Sequence, residues 1–308
     1  MLDVLSAEEP IACQILIEIH QGPFLHAKLL ERFAKARYML FSYEINGIKH
    51  PSLEQEFIKI DRSRFDPLVK AFFQQQQKAR QITMRQNLDS SHAAFHYLYN
   101  ALMPEVNCPR LVRVGNTDDG GKWICDPWQL PDNCTVYSLG VGGDVTFEVE
   151  LSNMTNLRCN TFSVDPDTKY ASLVGTIPKV TFNAWRMAQV DKPAEKVRSI
   201  QGIMQEYGHR YIDILKIDID NAEHEVMPDV LSAEEPIACQ ILIEIHQGPF
   251  LHAKLLERFA KARYMLFSYE INGYSIDACE YSFIHISCMQ RYGISDTLFK
   301  LFNTARRR

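Results

Sequence analysis

The chain has 308 residues, of which 46% are hydrophobic, so it is long and apolar enough for a large core. Its net charge of −5 and a lone basic cluster at Arg306–Arg308 exclude a general nucleic-acid-binding surface. We find no apolar run that could span a bilayer and no signal peptide, so the chain as written is expected to be soluble.

A stretch of 45 residues occurs twice without a difference, as residues 3–47 and 229–273. The sequence of each copy predicts a strand, a helix and a second strand. The sheet of one domain has only one position for such a unit, so only one copy can occupy it. The 181 residues between the copies exclude a solenoid repeat. We interpret residues 1–47 as a copy of 227–273 outside the core, either a recent duplication or, as we favour, an error in the assembled gene. In the second case the true N-terminus, with any signal or anchor, is missing.

The first copy is expected to be chemically idle. Glu18 and His20 are the counterparts of Glu244 and His246, and the strand predicted over 14–19 lacks a neighbour. Deletion of residues 1–47 should therefore leave ligand binding intact.

The next elements are helical and then alternate between strand and helix. Residues 48–107 predict a helical extension with helices over 65–86 and 92–103. Strands are predicted over 122–125, 136–139, 161–164, 180–182, 212–217, 240–245, 264–269 and 281–286, and helices over 147–154, 193–207 and 251–263. This alternation predicts a doubly wound α/β domain over 108–295, mostly parallel with an antiparallel edge strand, followed by a tail over 296–308.

The eight cysteines contain no CxxC pair, which disfavours a structural zinc site. Cys13 and Cys239 occupy apolar strands and are interpreted as buried free thiols. The other six fit either thiols or disulfides. Two Asn-x-Thr sequons, at Asn133 and Asn153, suggest a secretory history, although such triplets also arise by chance. The compartment stays open.

Three features lie where predicted strands end, the edge at which open α/β sheets bind ligands. The first is the glycine loop Gly140-Val141-Gly142-Gly143, whose spacing departs from the dinucleotide pattern and disfavours an NAD-dependent oxidoreductase. The second is Asp165, placed to accept hydrogen bonds from a ribose. The third is the acidic end of the strand at Asp218, in which buried Lys216 is expected to pair with a carboxylate.

These motifs resemble those of the FkbM-type S-adenosylmethionine-dependent methyltransferases, and more closely their animal methyltransferase-like relatives. The matching runs, in order, are VYSLGVGGDVTFE, FSVDPD, ILKIDIDNAE, QILIEIH and CEYSFIH, within residues 108–290. The resemblance implies a Rossmann-like class I methyltransferase fold and S-adenosylmethionine as cofactor. Asp220 stands where the family favours Glu, and Asn221 where it favours Gly. Because Asn tolerates a left-handed backbone, the turn is expected to survive.

The resemblance also implies roles for the cofactor-binding residues. Gly140, Gly142 and Gly143 would border the methionine part of the cofactor, Asp165 would hold its ribose, and Asp218 would lie beside the transferred methyl group.

Glu244 and His246 would face the methyl acceptor. An alcohol acceptor needs a base, and His246 is the first candidate because its ordinary pKa lies near neutrality; a purely structural role at the strand end is the alternative. We predict no metal, although Asp218, Asp220 and Asn221 offer oxygen ligands that suit magnesium.

The predicted function is O-methylation of a hydroxyl on a small molecule or glycan. The alternative is a degenerate methyltransferase-fold binding or scaffold protein that has lost turnover. No nucleic-acid partner is expected, and the sequence does not define the oligomeric state.

Overall fold

The computed structural model describes residues 27–30, 67–295, 297 and 299–302. Residues 27–30 are helical, as are the same four letters at 253–256 of the second copy. The predictions for the strand over 14–19, for Glu18 and for His20 lie outside the described residues.

The elements of the described chain follow the predicted alternation. The helices are α1 (Pro67–Gln86), α2 (Phe95–Ala101), α3 (Thr146–Met154), α4 (Ala171–Val174), α5 (Ile200–Tyr207), α6 (Glu223–Ser232) and α7 (Pro249–Lys261). The strands are β1 (Leu111–Val114), β2 (Lys122–Cys125), β3 (Thr135–Leu139), β4 (Asn160–Val164), β5 (Val180–Asn183), β6 (Arg186–Met187), β7 (Val197–Arg198), β8 (Ile212–Ile217), β9 (Ala238–Ile245), β10 (Tyr264–Ile271) and β11 (Cys279–His285).

Seven strands form the central sheet, in the order β10-β11-β9-β8-β3-β4-β5. Neighbours from β9 to β5 run parallel, whereas β11 is antiparallel to both β9 and β10. The predicted fold class is therefore confirmed, with one difference at the edge. The antiparallel strand β11 lies one place inside, because the chain after β10 folds back between β10 and β9 and pairs with both.

Alternate strand residues pack on opposite faces of the sheet. Ile241 and Ile243 of β9 join the apolar cluster that receives α2, α5, α6 and α7. Leu242, between them, joins the cluster that receives α3 and the β1–β2 hairpin. Both faces are thus covered, which is why the parallel strands read as continuous apolar runs in the sequence.

The prediction of a helix over 193–207 is wrong for its first half, which contains a short strand instead. Lys196 adopts a left-handed backbone (φ 55°), and Val197–Arg198 pairs with Arg186–Met187 instead. Helix α5 begins after Ser199, whose hydroxyl accepts a hydrogen bond from the Gly202 amide at 2.9 Å. Helix α6 had no counterpart among the predicted elements, because Pro228 lies inside it and obscures the helical pattern.

Three disulfides join six of the cysteines: Cys108–Cys125, Cys134–Cys159 and Cys239–Cys288. The interpretation of Cys239 as a free thiol is therefore wrong. Its partner comes from beyond β11, whose antiparallel course returns the chain to the start of β9. Cys279 is the free cysteine among the described residues, and it is buried.

The C-terminal segment packs where a tail was predicted. Phe299, Leu301 and Phe302 are buried in the same core as α2 and α7. The Leu301 amide also donates a hydrogen bond to the buried carboxylate of Glu105 at 2.8 Å. The packed unit therefore continues past residue 295.

Candidate functional site

The predicted site residues come together at the carboxyl edge of the sheet. Strand β3 ends at the glycine loop, β4 ends before Asp165, β8 ends before Asp218, and β9 ends before His246. Because these four strands are parallel neighbours, the residues that follow them share one edge.

Gly140 is the point at which the glycine loop presses against β8. Its φ is 76°, and a Cβ at this position would lie 1.6 Å from the backbone oxygen of Asp218. Glycine is therefore required here both for its backbone angle and for close approach. Gly142 also has a positive φ, 61°, but a Cβ there would meet no atom within 4 Å. The loop is thus packed tightly against the Asp218 backbone at Gly140, whereas the space beside Gly142 is empty.

Asp165 contacts this loop directly. Its Oδ2 accepts a hydrogen bond from the Gly142 amide at 3.0 Å, and its Oδ1 accepts one from the Asp167 amide at 2.8 Å. The carboxylate is buried, and each oxygen has a second lone pair for a ligand hydroxyl. The acid and the glycine loop therefore form one continuous surface.

Lys216 supports the loop from within the sheet. Its Nζ donates to the carbonyl oxygen of Gly140 at 3.1 Å and lies 4.0 Å from Oε1 of Glu148 on α3. The predicted carboxylate partner of Lys216 is thus Glu148, which also accepts a hydrogen bond from Ser138.

Lys122 is a central residue that sequence reasoning missed. It is buried on β2, and its Nζ lies 3.1 Å from Oδ2 of Asp218 and 2.5 Å from Oε1 of Glu280. Burial lowers the pKa of Lys122, but Glu280, Asp218 and Glu244 outweigh burial and raise it overall. Lys122 is therefore a fixed cation between β8 and β11.

The β1–β2 hairpin that carries Lys122 is fixed over the sheet by polar contacts. The side-chain amide of Gln240 pairs with the backbone of Cys125 through hydrogen bonds of 2.9 and 2.8 Å. Arg113 binds Glu270 through two hydrogen bonds, and the Trp123 indole donates to the same carboxylate. These contacts explain how Lys122 reaches acids that are distant in sequence.

Asp218 is an ionised carboxylate at this edge. Burial alone would raise its pKa, but the charges of Lys122 and Lys216 and a hydrogen bond from Lys122 lower it to about 2. Burial raises the pKa of Glu280 well above its ordinary value. Three acids, Asp218, Glu244 and Glu280, thus surround Lys122 but differ in proton affinity.

His246 lies between two carboxylates. Its Nδ1 is 3.3 Å from Oε1 of Glu223, and its Nε2 is 3.7 Å from Oε2 of Glu244. Glu223, the last residue of the ILKIDIDNAE motif, is fully buried. Its carboxylate is the main cause of a pKa of about 9 for His246, and the charges of Glu244 and Asp218 add to it despite the opposing effect of burial. The imidazole is therefore protonated at neutral pH, whereas an unperturbed histidine would be mostly neutral.

Glu244 is the buried acid next to His246. Burial first, and then the charge of Asp218, raise its pKa, while Lys122, a hydrogen bond from Asn272 and His246 partly offset that rise. Asn272 donates to Oε1 of Glu244 at 2.9 Å. Oε2 lies 3.7 Å from the imidazole Nε2, so Glu244 and His246 form an ion pair when the imidazole is protonated.

The turn after β8 has the left-handed backbone expected of Asn221, with φ 80°. Asp220 is left-handed as well, with φ 49°. Two groups of described residues bring metal-ligating atoms within 4.8 Å of one another: Asp218, Glu244 and His246, and Asp119, Glu244 and Glu280. Asp220 belongs to neither group, and Lys122 and His246 already supply positive charge to these acids.

A seven-stranded sheet with this strand order, and with a glycine loop and acids at its carboxyl edge, has the Rossmann-like architecture of class I methyltransferases. The chain belongs to the methyltransferase domain family, whose model matches residues 66–285.

Similarity to individual proteins is more limited. "Probable methyltransferase-like protein 24" of Homo sapiens is 33% identical over 124 residues, 37% of this chain and 32% of that protein. The protein of the same name from Rattus norvegicus is 32% identical over 166 residues, 46% of this chain and 44% of that protein. The match thus spans less than half the length of these curated relatives. Methyltransferase FkbM from Methylobacillus flagellatus has 16% identity and a TM-score of 0.36, with coverage of 49% of this chain and 43% of that one.

None of the described helices is both long and apolar enough to cross a bilayer.

Proposed function

We propose that this protein is an S-adenosylmethionine-dependent methyltransferase of the FkbM type that methylates a hydroxyl group on a small molecule or glycan. The observation that carries the proposal is the convergence of Gly140, Gly142, Asp165 and Asp218 at the ends of three adjacent parallel strands. Such a strand-end crevice is the ligand-binding edge of an open α/β sheet.

The residues at this edge fit the proposed cofactor. Gly142 presents backbone with open space in front of it, and Gly143 has no atom nearer than 3.7 Å to the place of a Cβ. Asp165 can accept hydrogen bonds from ribose hydroxyls with the lone pairs that Gly142 and Asp167 leave free. When bound, S-adenosylmethionine supplies a methyl group on a positively charged sulfonium. Asp218, held as an anion, favours a cation at this edge.

The proton of the acceptor hydroxyl needs a destination other than His246, because that imidazole already carries a proton at neutral pH. We assign this role to Glu244. Its raised pKa gives it a higher proton affinity than Asp218. The adjacent imidazolium of His246, 3.7 Å away, stabilises the carboxylate before the proton arrives. Glu223 in turn holds His246 in its charged form.

Isothermal calorimetry with S-adenosylhomocysteine tests the cofactor assignment. We expect binding by the full chain, and a loss of roughly tenfold or more in Asp165→Asn, which removes a charge-assisted acceptor. Asp167→Asn is the matched control, because Asp167 is a half-exposed acid two residues away that pairs with Lys169. Equal losses in both variants, or no binding by the wild-type chain, would contradict the assignment.

Transfer of a labelled methyl group to sugars and small hydroxyl compounds tests the reaction. Glu244→Gln should bind S-adenosylhomocysteine normally but lose most of the turnover, since the amide cannot accept the proton. Cofactor binding by the wild type without transfer to any acceptor would instead favour a methyltransferase-fold binding protein.

A further inference from the structure

Six cysteines of the described chain are paired in three disulfides, which link residues 17, 25 and 49 positions apart. Disulfides form and persist in oxidising compartments, whereas the thiol pools of the cytosol keep such pairs reduced. The paired cysteines are buried, so the bonds are part of the packed interior. The covalent structure is therefore that of a protein that matures in an oxidising environment.

Both sequons of the chain lie on the surface of this disulfide-bonded domain. Asn133 occupies an exposed turn with φ 59°, directly before the paired Cys134. Asn153 is exposed in the last turn of α3. Within the described part of the chain, neither side-chain amide makes a hydrogen bond, so a substituent on either nitrogen displaces no contact.

Both sequons lie at the end of the sheet opposite the candidate active site. Asn133 precedes β3, and α3 runs back from the end of β3 toward the start of β4, so both asparagines lie at the amino edge of the sheet. The disulfide Cys134–Cys159 joins the same two strand starts. The carboxyl edge with Asp165 and Asp218 is at the other end of these strands. A bulky group at Asn133 or Asn153 therefore leaves the candidate active site open.

We propose that this domain matures in an oxidising secretory compartment and carries N-linked glycans at Asn133 and Asn153. The donor class is an oligosaccharide linked to a lipid pyrophosphate. The amide nitrogen of Asn forms a bond to C1 of the first sugar, the bond between C1 and the pyrophosphate oxygen breaks, and the amide proton leaves to a base. Each disulfide forms by loss of two electrons and two protons to a protein disulfide oxidant.

The folded state indicates when the transfer takes place at the second sequon. The hydroxyl of Thr155 is buried and donates to the Leu151 carbonyl at 2.7 Å. A transferase that reads this threonine therefore needs the chain before α3 packs. The glycan is added to the nascent or partly folded chain and stays on the exposed face afterwards.

The experiment expresses the full chain behind a cleavable secretory signal peptide in cultured animal cells, with readout in both the medium and the cell extract. We expect a glycosidase that cleaves the glycan–asparagine amide bond to increase the electrophoretic mobility of the protein in two steps, one for each glycan. Peptide mass spectrometry should then show aspartate at positions 133 and 153. Asn133→Gln and Asn153→Gln should each lose one step, and the double variant both. Thr135→Ser keeps its sequon, and Asn156→Gln alters an exposed asparagine outside any sequon, so both controls should keep two steps.

Alkylation without prior reduction gives an independent readout on the same material. In denaturant, where buried thiols become accessible, none of the six paired cysteines should be labelled unless a reductant is added first. A chain that carries no glycan at either asparagine, or whose six cysteines react without reduction, would overturn the proposal. A glycan at only one asparagine would overturn it for the other.

Discussion

The two ends of the parallel sheet are stabilised by different chemistry. At the amino end, Cys134–Cys159 joins the starts of β3 and β4, and Cys239–Cys288 joins the start of β9 to the chain after β11. At the carboxyl end the contacts are ionic, with Lys122 between Asp218 and Glu280, and His246 between Glu223 and Glu244.

The amino end of the sheet thus carries covalent stabilisation, and the carboxyl end carries the titratable groups of the candidate site. Covalent bonds at the amino end hold the strands in register and need no solvent or counter-ion. Buried charges at the carboxyl end cost desolvation free energy that offsets much of their mutual attraction, so removal of one partner is costly, and they set the proton affinities that a reaction uses. The amino end should therefore respond to reduction, and the carboxyl end to pH and to charge removal.

Removal of the Lys122 charge should have the largest effect on stability. Lys122→Met leaves Asp218 and Glu280 buried without their cation, and we expect a loss of about 3–5 kcal/mol in the free energy of urea unfolding. Adding Glu280→Gln to this variant should restore part of the loss, because it removes one uncompensated acid. A Lys122→Met protein as stable as the wild type would show that the carboxyl end does not depend on this cation.

Gly140→Ala should disrupt the ligand-binding edge more than the equivalent change at Gly142. Both glycines have positive φ, but a Cβ on Gly140 would overlap the Asp218 backbone whereas one on Gly142 meets open space. We expect S-adenosylhomocysteine binding, measured by calorimetry, to weaken by roughly 100-fold in Gly140→Ala and much less in Gly142→Ala. Similar losses in the two variants would mean that backbone angle, not the contact with β8, governs the loop.

Loss of the Cys134–Cys159 bond should weaken the amino end alone. The paired change Cys134→Ser and Cys159→Ser opens a 25-residue loop and is expected to cost about 3 kcal/mol in urea unfolding. Affinity for S-adenosylhomocysteine should stay within about twofold of wild type below the unfolding transition, well under the 1.4 kcal/mol of a tenfold change. A parallel loss of affinity would show that the two ends are not independent.

The pH dependence of the free energy of unfolding should reveal the ion pair between His246 and Glu223. The pKa of His246 is about 9 in the folded protein, above the ordinary value of 6.5, so the stability it contributes is complete below about pH 6.5 and disappears as pH rises through 9. The difference in unfolding free energy between wild type and His246→Gln should fall by about 2–3 kcal/mol between pH 6 and 10. A difference that is constant over this range would contradict the ion pair with Glu223.

The smallest expected effect is at the turn after β8. Asn221 has φ 80°, a region that glycine enters at lower cost than asparagine. Asn221→Gly should therefore change the free energy of unfolding by less than about 1 kcal/mol, in the stabilising direction. Asn221→Val should have the opposite effect. A β-branched residue is strained at this backbone angle, so this variant should be clearly less stable than the wild type.

Much of the site was predictable because strand ends can be read from sequence. The glycine loop, Asp165, Asp218, Glu244 and His246 each follow a short apolar run, and parallel strands bring such positions to one edge. The sequence did not predict that β8 would lie beside β3, because three other strands separate it from β4 in the chain.

The charge partners were not predictable, because they are distant in sequence. Lys122 lies 96 residues from Asp218 and 158 from Glu280, and it follows a glycine turn with no pattern that indicates burial. The acid that raises the pKa of His246 was not predicted for a related reason, since Glu223 lies at the start of α6, an element whose helical pattern Pro228 obscures.

The sequence by itself determined the alternation of strands and helices, the residues that end each strand and the methyltransferase resemblance. These properties are local, because periodicity and turn residues act over a few positions. Only the tertiary structure decided the contact of His246 with Glu223, the place of Lys122 and the partner of Cys239. Each of these depends on which groups meet at one point in space, and that follows from strand order and from the fold of the β1–β2 hairpin over the sheet.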